Sequence, residues 1–138
     1  MVHVEGLIVF FAYTPSLALL WYFYHKDDLE PEPKRFVVFT FVFGASSSAL
    51  VTLVVERFLI SFLPSTAFFV ALVAGVVEEP AKALALRLPF SRDQMDGIMD
   101  GVVYGGAAGL GFAATENLLY GLGFGPSVTI VRGFLSRR

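Results

Sequence analysis

Long apolar runs dominate the sequence, and they restrict the chain to helices in a membrane. A helix needs about 20 apolar residues to cross the hydrocarbon core of a bilayer, and in lipid its backbone must satisfy its own hydrogen bonds. Hydrophobic residues make up 56% of the 138-residue chain and charged residues only 16%, against about 25% in soluble domains. We therefore predict an all-α fold, a polytopic transmembrane helical bundle of about four spans plus the start of a fifth, as one membrane-embedded domain over residues 1–138. The four spans are predicted at residues 4–24, at 36–55, from about Pro64 through 78–82, and at 101–122.

Charge and cysteine content exclude several classes of function. The net charge of −2 provides no basic surface for nucleic acid. The absence of cysteine excludes disulfides, a thiolate nucleophile and a zinc–sulfur site. The first apolar run is long for a signal peptide and follows no basic segment, so we interpret it as a retained span. The acidic connector that follows it, with Asp27, Asp28, Glu30 and Glu32, is expected to be solvated.

Two adjacent glutamates, Glu78 and Glu79, interrupt the third apolar run. A carboxylate at bilayer depth costs roughly 2.5–3.5 kcal/mol on insertion scales, so such a charge indicates a functional group. Glu78 and Lys82 are four residues apart and share a helix face, which predicts a pair, whereas Glu79 points about 100° away toward another neighbour. Two carboxylates in different surroundings suit acid–base chemistry. A buried ion pair that only fixes helix packing is the structural alternative.

The fourth run carries a second set of polar residues among many glycines. Asp100 and Tyr104 are four residues apart, as are Phe112 and Glu116, so each pair shares a helix face. The glycines favour close helix packing, and packing alone is one explanation of the segment. Packing does not explain Glu116 and Asn117. Together they provide a carboxylate beside an amide that can donate to a developing oxyanion.

A comparison of depths leaves the partner of the glutamate pair open. In a simple antiparallel hairpin of spans three and four, residues equally distant from the turn lie at equal depth. On that basis Glu79 and Glu116 are mismatched by roughly 12 Å at 1.5 Å per residue, whereas Asp100 lies near the depth of Lys82. The mismatch disappears if the connecting segment is partly non-helical or if the glycines bend span four. The sequence therefore allows either Asp100 or Glu116 beside the pair.

Two motifs follow one another along the chain: EEPAK at residues 78–82 and MDGIMDGVVYGGAAGLGFAATENLLYGL at 95–122. Together with residues 21–35, they resemble the PrsW family of intramembrane proteases, which is related to the CAAX prenyl-protease and bacteriocin-processing membrane enzymes. The resemblance implies glutamate-dependent proteolysis within a prokaryotic cell membrane. By motif, it assigns Glu78 and Glu79 to the first set with Lys82 as its basic residue, and Phe112, Glu116 and Asn117 to the second.

The resemblance also implies a third motif, a histidine on a later helix. Arg132 resembles the arginine that begins the family's last segment, but neither His3 nor His25 matches the family's histidine. The chain is therefore expected to be either truncated before the last family motif or a natural short member.

These observations predict an intramembrane endopeptidase that cleaves peptides of membrane proteins. Glu78 or Glu79 is the expected base that activates water, and Asn117 is the expected oxyanion donor. Glu116 is expected to orient water or to protonate the leaving amine. The expected supporting residues are Lys82, Asp100, Tyr104 and Phe112.

We favour a mechanism without a metal or other cofactor. A divalent cation held through oxygen ligands is the other possibility, with Glu78, Glu79, Glu116 and Asp100 as its ligands. The competing hypothesis for the whole chain is a non-catalytic membrane module. Such a module would bind a partner helix or a cation through the same buried carboxylates.

Overall fold

The computed structural model describes residues 2–26, 31–63 and 66–135, and every regular element among them is helical. The predicted all-α fold is therefore confirmed. A π-helical turn continues α2 into α3. The elements are α1 (Val2–Lys26), α2 (Lys34–Leu50), the π-helical turn (Val51–Glu56), α3 (Arg57–Ile60), α4 (Ala67–Ala85), α5 (Arg87–Ser91), α6 (Ile98–Phe124) and α7 (Pro126–Leu135).

Two helical segments are long and apolar enough to cross a membrane, His3–Lys26 and Lys34–Leu59. They correspond to the first two predicted spans. The full count of four spans plus the start of a fifth stays a prediction. The predicted start of the third span at Pro64 lies outside the described residues, and α4 is described from Ala67 onward.

Helix α6 is the centre of the fold, with α1, α2, α4 and α7 packed around it. Helices α2 and α6 pack so closely that their backbones are in contact. A Cβ atom added at Gly44 would collide with the carbonyl of Ala108, and one added at Gly111 would collide with the carbonyl of Phe41. Small residues permit this approach of two backbones, as the glycine-rich sequence predicted.

The connectors before α2 and before α6 meet at one end of the bundle. The buried side chain of Glu32 accepts a hydrogen bond from the Tyr104 hydroxyl at 2.5 Å, and its backbone carbonyl accepts one from the Tyr24 hydroxyl at 3.0 Å. The prediction of a solvated connector is therefore wrong at Glu32, because the fold places this residue against α6. Asp27, Asp28 and Glu30 lie outside the described residues.

Asp100 stabilises the start of α6. Its carboxylate accepts the backbone N–H groups of Asp96 at 2.9 Å and Gly97 at 2.5 Å, which would otherwise lack partners at a helix N-terminus. Negative charge is also favourable there, because the helix dipole is positive at this end.

Candidate active site

On α4, a single lysine bridges the two glutamates. Lys82 Nζ lies 2.8 Å from Glu79 Oε1 and 3.4 Å from Glu78 Oε2. The predicted Glu78–Lys82 pair is present, but the shorter bond goes to Glu79, which was expected to face elsewhere. The two carboxylates differ in surroundings, since the Glu78 side chain is 18% exposed and that of Glu79 is 71% exposed.

Pro80 follows the glutamate pair and lies inside α4, which continues to Ala85. Proline has no backbone N–H, so the carbonyl four residues earlier, that of Val76, loses its usual helical donor. A helix that continues through the proline keeps Glu78, Glu79 and Lys82 on one rigid element, which fixes their relative positions.

Phe112 connects this group to α6. Its ring is 1% exposed and packs with Val51 and Ala81, which joins the π-helical turn, α4 and α6 in one apolar cluster. The Lys82 ammonium lies 4.7 Å from the centre of the ring, a distance at which the ring face attracts a cation. Phe112 thereby shields one side of Lys82 from solvent and lipid, and it fixes α4 against α6.

Glu116 lies one helical turn beyond Phe112 and faces the α4 group. Both Glu78 and Lys82 are close enough to Glu116 for direct charge–charge interactions. The Glu116 side chain is 21% exposed, so these interactions are only partly screened. The structure thus places Glu116 near enough to the α4 group for its charge to interact with those of Glu78 and Lys82.

Asn117 is the neighbour of Glu116 and is 5% exposed. Its side-chain oxygen accepts a hydrogen bond from Arg132 Nε at 3.3 Å, and Arg132 Nη2 lies 3.9 Å from Glu116 Oε2. The sequence singled out Arg132 only as resembling the arginine that begins the family's last segment. Its contact with the candidate site was missed, although the Gly125–Pro126 dipeptide signals a turn that could bring the following helix back.

Asp100 and Tyr104 belong to the other end of α6. Their side-chain hydrogen bonds go to Asp96, Gly97 and Glu32, and neither is bonded to the α4 glutamates. The depth comparison left Asp100 and Glu116 both open, and of the two it is Glu116 whose charge interacts with those of Glu78 and Lys82. The chain between α4 and α6 forms α5 and then a non-helical stretch, which is the partly non-helical connection that the comparison allowed.

Among the described residues, no group of three or more histidine, cysteine, aspartate or glutamate side chains is placed to hold a metal ion. The ammonium of Lys82 occupies the space between the α4 carboxylates, where a cation would otherwise bind. His25 stacks on Trp21 and contacts its carbonyl on the exposed side of α1. These residues by themselves do not fit a metal centre.

Comparisons with known proteins agree on one family. A family model described as "PrsW family intramembrane metalloprotease" matches residues 32–137. Proteins named Protease PrsW are 36% identical over 88% of this chain in Geobacillus kaustophilus and 35% identical over 88% in Bacillus subtilis. These alignments cover 55% and 57% of the two relatives, so the chain spans little more than half of their length. No solved structure matches the chain.

Proposed function

The chain belongs to the PrsW family, and from that premise we propose that it forms the glutamate-bearing part of an intramembrane endopeptidase. The observation that carries the proposal is the contact of α4 with α6 at Lys82, whose ammonium lies 4.7 Å from the centre of the Phe112 ring, one helical turn before Glu116. Two carboxylates on different helices, with a cation beside them, can bind a water and move its proton. Helices that only pack together need no such group at this cost.

We assign the role of base to Glu78. Lys82 holds Glu79 by the shorter bond, and the Glu79 side chain is largely exposed. Glu78 is less exposed, is bound to Lys82 at the longer distance of 3.4 Å, and interacts with Glu116. It therefore has both the protection and the neighbour that an acid–base group needs.

The proposed reaction is hydrolysis of a peptide bond. Glu78 takes a proton from water as the oxygen attacks the peptide carbonyl, and the amide of Asn117 donates to the oxyanion that forms. The carbon–nitrogen bond then breaks, and the proton reaches the leaving amine through Glu116. Lys82 compensates the charge of the carboxylates throughout. No step of this proposal is assigned to a metal ion.

The surroundings of the site are part of the same proposal. In addition to the two candidate spans, α4 and α6 would serve as the third and fourth spans, and α7 would begin a fifth. The substrate would be a peptide segment of a membrane protein, and the location would be a bacterial cell membrane. The outer face of α4, with Phe68, Leu72 and Val76 exposed, would lie toward the lipid from which such a substrate comes.

The test is cleavage of peptides from bacterial single-pass membrane proteins by the chain in liposomes. We expect Glu78→Gln and Glu116→Gln to lower the rate by about 10²–10⁴-fold, the usual contribution of a general acid or base, and Glu79→Gln to lower it less. Glu5→Gln, at an exposed glutamate of α1, is the matched control. Equal cleavage by wild type and all variants would sink the assignment. A chelator that abolishes wild-type cleavage would refute the metal-free mechanism.

The alternative of a non-catalytic membrane module has a distinct signature. Such a module would leave every peptide intact, and Glu78→Gln would instead change binding to a partner helix or to a divalent cation. Measuring both cleavage and retention of the peptide on the liposomes separates the two functions.

A further inference from the structure

We propose that Arg132 on α7 is a positioning residue that orients Asn117 and holds Glu116 in place. The inference rests on the proposed protease function. Arg132 lies outside both motifs that carry the family resemblance. Its guanidinium nevertheless contacts three side chains of α6, which are those of Glu116, Asn117 and Tyr120.

The backbone brings Arg132 to this place through a tight turn at Gly125. This glycine has φ of 94° and ψ of 169°, a conformation that is essentially restricted to glycine. The turn folds α7 back along α6, so that residues equally distant from it face each other. A Cβ atom added at Gly121 would collide with the side chains of Thr129 and Ile8. Gly121 and Thr129 are each four residues from the turn, and the same register carries Arg132 to the level of Asn117.

The three contacts hold the guanidinium in one orientation. Its central carbon lies 3.9 Å from the centre of the Tyr120 ring, which supports the guanidinium plane by stacking. Nε donates to Asn117 at 3.3 Å, and Nη2 lies 3.9 Å from Glu116. Different nitrogens serve different partners, which a lysine ammonium cannot do in the same geometry.

The chemistry of arginine fixes the orientation of the Asn117 amide. Arginine has five N–H donors and no acceptor, so the atom of Asn117 that faces Nε must be the oxygen. The amide nitrogen and its two N–H groups are then directed away from Arg132. Without Arg132, the two ends of the amide would be free to exchange. Arg132 therefore selects the arrangement in which Asn117 can donate to an oxyanion.

Arg132 also balances charge at Glu116. This carboxylate interacts with Glu78 from one side, which is repulsive, and with Lys82 and Arg132, which are attractive. Removing Arg132 leaves the two carboxylates with Lys82 as their shared cation. Because less positive charge then offsets the repulsion between Glu116 and Glu78, the two carboxylates would move apart.

Cleavage kinetics test the proposal directly. We expect Arg132→Ala to lower kcat by about 10–100-fold, as losing a group that orients a functional residue commonly does, with KM nearly unchanged. Guanidinium added to Arg132→Ala should restore part of the rate, and Arg132→Lys should retain an intermediate rate. In a double variant with Asn117→Ala, loss of Arg132 should cost less than it does alone. Arg87→Ala, at an exposed arginine of α5, should leave kcat unchanged.

A spectroscopic readout keeps this inference separate from the protease assignment. Asn117 is the only asparagine in the sequence, so ¹⁵N-asparagine labelling yields a single pair of side-chain amide signals. Arg132→Ala should shift this pair far more than Arg87→Ala, whether or not the chain cleaves peptides. An unshifted pair in a folded Arg132→Ala protein would overturn the proposal, as would a full loss of rate that guanidinium does not relieve.

Discussion

Replacing Gly111 by alanine places one methyl group in the closest contact between α2 and α6. The added Cβ would lie 3.0 Å from the Phe41 carbonyl carbon and 3.1 Å from the Ala45 nitrogen, with the Phe41 oxygen nearer still. Ordinary van der Waals contact begins at 3.4 Å. These are backbone atoms, which cannot rotate away as a flexible side chain does, so the two helices must move apart.

Moving α2 and α6 apart lowers the free energy of unfolding. A gap of 0.5–1 Å already forfeits about a quarter to a half of the dispersion energy of each contact across the interface, and overpacking of a tight site costs about 1–3 kcal/mol. Alanine returns at most about 1 kcal/mol through its higher helix propensity. We therefore expect the free energy of unfolding to fall by up to about 2 kcal/mol, and to lie about 1–3 kcal/mol below that of the same change at an uncrowded position of the helix.

Gly109→Ala provides the matched control, because Gly109 lies on the same helix with no atom near its missing side chain. This variant should be neutral or stabilised by up to about 1 kcal/mol. Unfolding of both proteins by SDS in mixed micelles, followed by near-UV circular dichroism, gives the comparison. If Gly111→Ala proves as stable as Gly109→Ala, the close contact of α2 with α6 does not stabilise the protein and the reasoning is refuted.

Two further variants test the ends of α6. Tyr104→Phe removes a hydrogen bond to buried Glu32 and should lower the free energy of unfolding by about 1–3 kcal/mol. Tyr22→Phe, at an exposed ring, is the control and should change this free energy little. Equal values for the two variants would contradict the role of the Glu32 contact. Gly125→Ala forces a side chain into a conformation that costs about 1–3 kcal/mol, and it should reduce peptide cleavage together with stability because α7 carries Arg132. Gly123→Ala, with open space around its Cβ, is the control, and both variants are compared by thermal unfolding and by peptide cleavage. If Gly125→Ala matches the wild type in stability and cleavage, the turn does not have the importance assigned to it.

The sequence predicts those residues of the candidate site whose charge stands within a long apolar segment. Glu78, Lys82 and Glu116 each interrupt a long apolar segment, and the energy of placing such groups in lipid marks them without any knowledge of the fold. The structure pairs Glu78 with Lys82 and places Glu116 within range of both charges. Helix periodicity was less informative within the pair, because the flexible lysine side chain reaches both Glu78 and Glu79.

Contacts that form only where the chain reverses direction could not be predicted from the sequence in this way. The hairpin comparison assumed a symmetric turn, but the chain forms α5 and then turns with Asp93 at φ of 52° before α6 begins. Glu32 stands between two prolines and resembles any solvated connector, since its burial depends on Tyr104 from another part of the chain. Arg132 acquires its partners only through the turn at Gly125.

The central position of α6 determines where the sequence can change without loss. Neighbours cover this helix on several sides, so its buried positions, such as Val103, Ala107 and Phe112, admit neither a larger nor a more polar residue. Phe68, Leu72 and Val76 on α4 face outward and tolerate any apolar side chain of similar size. Mutational tolerance should therefore rise and fall with the helical period along α4, whereas along α6 it should be confined to the positions with open space, such as Gly109 and Gly123.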